Sequence, residues 1–237
     1  MKMKKLQFLL PVFALVLLWG CGGDDFKVSP VDQMIKTMDK EPVFTIILHD
    51  MDVEGSFSKS YKHQYKVITE KDSVPQEKLT EWYEVGEKFF TLHENNMGME
   101  IAAKTPDGKL LKEAAPPGYS NYVGNTQYGS WKKNNDGTSF WEFYGKYALI
   151  SHLLGGSRVY RTDYNTYRDY GRQGRPYYGR NKQYGTSGRL TKSQKPNFYS
   201  RRAAKVSASK MSFSQKMNQR IGRAKSGFGS RSSSRGK

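Results

Sequence analysis

Few side chains in this sequence are of a type and spacing that supports covalent or metal chemistry. One is Cys21, the only thiol, which cannot form an internal disulfide and is left as a single nucleophile open to acylation. The others are His49, Asp50 and Asp52, which fall together at the end of an apolar run, with His63 across a predicted hairpin. A metal centre needs three or four convergent ligands. Strand alternation sends His49 to the face opposite Asp50 and Asp52, so these groups are expected to be solvated side chains, with no metal and no cofactor. Ser151-His152 are simply consecutive residues on a predicted helix, and no glycine-rich phosphate cradle follows a predicted strand. An enzyme is therefore not the expected reading.

The elements around Cys21 explain its chemistry better. Lys2, Lys4 and Lys5 precede an apolar run from Leu6 to Leu18, interrupted by Pro11 and too short to span a bilayer. Gly20 stands directly before the thiol, and no A-x-A-like cleavage site precedes it. Leu17-Leu18-Trp19-Gly20-Cys21 resembles the lipobox of bacterial lipoproteins, with Trp19 the less usual residue. The resemblance implies cleavage after residue 20, diacylation of Cys21 and a place in the cell envelope. Gly22, where inner-membrane retention uses Asp, leans that expectation towards the outer membrane. The Gly-Gly-Asp-Asp spacer also resembles acidic export signals of surface lipoproteins.

Charge divides the rest. From Ser157 to Lys237 there are 21 Lys and Arg against only Asp163 and Asp169, a net of +19, whereas 21–156 carries −5. Together these predict a signal peptide at 1–20, an anchor and spacer at 21–28, one domain at 29–156 and a basic tail at 157–237.

Within the domain, Ser29-Pro30-Val31-Asp32 predicts a capped helix start, with Val31, Met34, Ile35 and Met38 on one face. Val43 to Leu48 reads as a buried strand, and Tyr61, His63, Tyr65 and Val67 alternate as a half-exposed one. Leu79–Val85 and Lys88–His93 are expected to pair as strands across Gly86-Glu87. Pro106-Asp107-Gly108 predicts a tight reversal between Met99–Lys104 and Lys109–Lys112. Ser139-Phe140-Trp141-Glu142 predicts a capping box opening a helix that runs to Leu154 and stops at Gly155-Gly156. The expected fold is α+β: a small antiparallel meander, a short N-terminal helix, a C-terminal helix packed on the sheet, and a disordered basic tail.

A dense aromatic and glycine block runs from Gly118 to Gly145. Its first reading is core. Its sharper reading is a docking surface for a protein partner or glycan, carried by Tyr119, Tyr122, Trp131, Trp141 and Tyr144. With its Trp-Glu-Phe-Tyr-Gly motif and basic tail, the chain resembles uncharacterised bacterial lipoproteins that bring no assigned activity. The tail is too poor in aliphatic residues to offset its ordering entropy and is expected to be disordered. Arg161, Arg168, Arg172, Arg175, Arg180, Arg201 and Arg202, interleaved with tyrosine, suit RNA in a cytoplasmic protein. Behind an export signal they suit anionic lipid, lipopolysaccharide or another acidic envelope polymer, and no nucleic acid is expected. These features point to a non-enzymatic envelope lipoprotein with a partner-binding domain and a polybasic grip. The alternative is an accessory subunit of an integral membrane complex.

Overall fold

The structure, a computed structural model, describes residues 29–55, 58–205 and 207. Cys21 and its apolar leader lie outside the described residues, as does everything after residue 207. The fold is α+β, built from two antiparallel sheets and short helices.

Helix α1 (Pro30–Thr37) starts where its cap predicts: the Ser29 hydroxyl accepts the Asp32 N–H at 3.4 Å. Val31 is buried, and Met34, Ile35 and Met38 pack against the same cluster. The larger sheet takes β1 (Phe44–Glu54), β2 (Ser60–Lys71), β3 (Val74–Val85), β4 (Glu100–Lys104) and β5 (Leu110–Leu111) in the order β3-β2-β1-β4-β5. The first three strands form a meander, and β4 returns to the free side of β1. The β4–β5 reversal at Pro106-Asp107-Gly108 forms as expected, with the Gly108 N–H donating to Thr105 O at 2.8 Å.

Residues 88–93 depart from their expected strand. They form helix α2 (Glu87–His93), whose adjacent Phe89 and Phe90 reach back over β2. The Phe90 ring stands 5.1 Å from both Tyr61 and His63.

The smaller sheet has β6 (Gly129–Lys133), β7 (Ser139–Phe143) and β8 (Val159–Tyr160) in the order β6-β7-β8. Here too an expectation fails, because Ser139–Glu142 is strand and not helix. A turn at Asn134–Gly137 closes a hairpin that sets Trp131 opposite Trp141, with ring centroids 5.1 Å apart. That aromatic cross-strand pair outweighs the local Ser-x-x-Glu cap. Only Ala148–Leu153 is α-helical (α3), entered through a 3-10 turn at Gly145–Tyr147.

The basic segment is the largest correction. Residues 157–205 are not a disordered tail. They form β8, helix α4 (Arg161–Arg172), a 3-10 turn at Arg180–Lys182, helix α5 (Arg189–Gln194) and a helical stretch at 196–205. Tyr177, Tyr184, Leu190 and Phe198 are buried. The Tyr177 N–H donates to Ala114 O at 2.9 Å, and Thr186 N–H to Asn95 O at 2.9 Å. The composition argument missed this because it counted aliphatics: a buried tyrosine removes roughly 150–250 Å² from water, more than enough to replace them.

Three clusters make up the core. Phe44, Ile46, Leu48, Tyr65 and Ile101 face α1 and Phe198. Ile47 and Ile68, on the opposite face by strand alternation, meet Tyr122, Tyr128, Tyr147 and Ile150. Met99, Ala115, Tyr119, Trp141 and Leu154 are closed over by Val159, Tyr177, Tyr184 and Leu190. The basic segment thus supplies walls to two of the three.

Candidate functional site

Strand β1 is irregular at its most interesting residue. Its pairing with β2 passes from Leu48–Tyr65 to Asp50–Gln64, which leaves His49 as the extra residue of a bulge. Bulges re-aim side chains, and this one breaks the alternation on which the sequence expectation rested. His49 now opens into a cleft of about 280 Å³ with Ile47, Lys66 (β2), Glu77 (β3), Pro117, Leu149, His152 and Leu153 (α3), and Lys195.

Lys195, just past α5, places its Nζ 2.9 Å from both ring nitrogens of His49. Burial, then the positive charges of Lys195 and Lys66, lowers His49 to about 4, so the ring is neutral at pH 7. Burial also lowers Lys195 to about 8, with Asp50 the main opposing influence, so the amine is mostly protonated. The ammonium therefore donates to a neutral imidazole. Across the cleft, Lys66 is already matched by Glu77 at 2.9 Å. The arrangement is a half-buried cation in a cleft that Ile47, Pro117, Leu149 and Leu153 also line.

Asp50, Asp52 and His63, weighed beside His49 as a cluster and expected not to converge with it, do not join it. Arg201 holds Asp50 at 2.7 Å, and Lys205 holds Asp52. His63 lies buried among Phe89, Phe90 and His93, its Nδ1 3.0 Å from the Tyr65 hydroxyl, and burial drives it down to about 3. Among the described residues no three of His, Cys, Asp and Glu are grouped to hold a metal.

The aromatic candidates divide. Tyr119, Tyr122 and Trp141 are buried, so they are core and not a docking surface. Trp131 is partly buried against Trp141. Tyr144 is open at 47% exposure and lines a second cleft of about 330 Å³ with Phe140, Ser151 and Arg158.

The arginines also divide. Spacings of seven and four put Arg161, Arg168 and Arg172 on one face of α4, while Tyr164, Tyr167 and Tyr170 turn towards the core. Arg161 lies over the Trp131 ring at 4.7 Å, Arg172 pairs with Asp169, and Arg168 is exposed. Arg175 stacks on Tyr170 at 4.5 Å. Arg180 is held by Asp163 at 3.0 Å, and Arg201 serves Asp50 as above. Arg202 is exposed.

Lys66, Glu77 and Lys195 escaped the sequence reading, which set His152 aside as a plain helix residue. The chain carries no local signal for them, since Lys195 meets His49 across 146 residues. No described helix is long and apolar enough to cross a membrane. The chain matches no protein-family model, no curated protein and no solved structure.

Proposed function

We propose that this chain is a lipid-anchored bacterial envelope protein whose folded body turns a cationic face to an anionic surface, lipid headgroup or acidic polymer. The observation that carries this reading is the arginine stripe of α4, fixed from beneath by packed tyrosines. The lipobox-like approach to Cys21 supports the address, and eight further Lys and Arg after residue 207, with no Asp or Glu, add to the same charge.

Each Lys or Arg at an anionic membrane contributes about 1 kcal/mol. Replacing Arg161, Arg168 and Arg172 by Gln is therefore expected to cost up to about 3 kcal/mol, or roughly a hundredfold in affinity. Co-sedimentation of the unacylated chain with anionic and neutral vesicles measures this, beside the triple variant and a chain ending at residue 207. Binding to anionic vesicles should fall in both altered chains and be released by salt. Equal sedimentation with neutral vesicles, or none lost by either altered chain, refutes the cationic grip. Mass spectrometry of the processed amino terminus from a membrane fraction tests the anchor separately.

A further inference from the structure

The Lys195 cleft is unrelated to the arginine stripe and stands whether or not the chain is lipid-anchored. We infer that it is a binding site for a small organic monoanion, a carboxylate with a short apolar tail, taken head-first by Lys195 with its tail along Ile47, Leu149 and Leu153.

The charge on the ammonium is the first reason. Among the described residues no carboxylate lies within ion-pair distance of Lys195. The groups facing it are His49 and Asp50 from β1, Lys66 from β2 and Glu77 from β3, and His152 of α3 stands on the same lining. His49 is neutral, Lys66 and Glu77 satisfy one another, and the Asp50 carboxylate is engaged by Arg201. One positive charge is left over, partly withdrawn from water, where it is costly unless matched. His49 takes one of the three ammonium N–H donors, which leaves two for an incoming carboxylate.

The walls and the size supply the rest. The same cleft is lined by Ile47, Pro117, Leu149 and Leu153, which a purely hydrophilic anion such as phosphate would leave uncovered. A volume of about 280 Å³ falls below the roughly 300–1,000 Å³ of sites for drug-sized ligands, which restricts the occupant to a short chain or single ring. The site is also built rather than incidental. The place of His49 beside Ile47 on the cleft face of β1, and the packing of α5 through Leu190 that delivers Lys195, are both ordered features held by the core.

The test uses the purified chain from residue 21 to its end and titrates octanoate, 1-octanol, octylamine and inorganic phosphate by calorimetry near neutral pH. The expectation is one saturable octanoate site, tighter than any of the other three probes. Lys195→Met should weaken octanoate at least tenfold and leave octanol unchanged. Octanoate affinity should also fall as pH rises past 8 while octanol stays level, and this decides the matter if Lys195→Met does not fold. The inference is overturned by the absence of saturable octanoate binding, by phosphate or octylamine matching octanoate, or by octanoate affinity indifferent to pH.

Discussion

Glu100 on β4 offers a sharp test of how this core handles charge. Its carboxylate is wholly buried beneath the turn at 116–124 and accepts the Gly118 N–H at 2.9 Å and the Ser120 N–H at 3.1 Å. The Ser120 hydroxyl also donates to it, and Tyr167 stands 3.1 Å behind that hydroxyl. Burial raises the carboxyl from 4.5 to about 7, against the pull of the three hydrogen bonds. Because the folded value exceeds the unfolded one, the native state keeps a proton that the unfolded chain has lost between pH 4.5 and 7. The stability owed to protonated Glu100 is complete below pH 4.5, declines through that window and is level above it. At about 1.4 kcal/mol per pH unit the decline comes to about 3 kcal/mol.

Glu100→Gln carries no charge at any pH and keeps one carbonyl acceptor for the turn. It should be less stable than the parent at pH 4.5 by about 1 kcal/mol, the value of an imperfect hydrogen bond. The deficit should shrink and then reverse as pH approaches 7. Urea unfolding followed by tryptophan fluorescence at a series of pH values reads the difference directly. His49, His63 and His93, all held low by burial, destabilise both chains in acid and cancel in the comparison. Parallel curves for the two chains, or a variant that loses ground as pH rises, would show that hydrogen bonding and not desolvation governs this carboxyl.

Gly124 has φ of +81°, and a Cβ there would lie 2.7 Å from the Tyr164 ring, so Gly124→Ala should lower stability by about 1–3 kcal/mol in thermal unfolding. Relief of that loss in a Gly124→Ala/Tyr164→Ala double variant would locate the clash on α4. A chain ending at Gly156 lacks Val159, Tyr177, Tyr184, Leu190 and Phe198, and should show no cooperative thermal transition by circular dichroism. Retention of a sharp transition would mean that those buried side chains do not hold the core.

What could be read from the sequence was what neighbours in sequence decide. The Ser29 cap, the Pro106–Gly108 reversal and the buried run that opens β1 are local, and all three stand in the structure. Where local and distant preferences conflict, the distant partner wins: Trp131 pulls Ser139–Phe143 into a strand, and the bulge at His49 undoes simple alternation. The cleft was illegible for the same reason. Its walls come from β1, β2, β3, α3 and the end of α5, and only the fold brings them together. The tyrosines from 164 to 184 were legible as residues and misjudged as part of a disordered segment, although their rings are what bury it.

The order in which the core acquires its walls has a consequence for how the chain must be made. Met97 is satisfied by Thr186 and Thr191, roughly ninety positions later, and Asp50 by Arg201. Any machine that delivers the polypeptide amino end first, a ribosome or an export channel, releases most of the sheet before its last covering pieces exist. The body therefore cannot lock early in transit, and nearly its whole length must emerge before the hydrophobic interior is sealed.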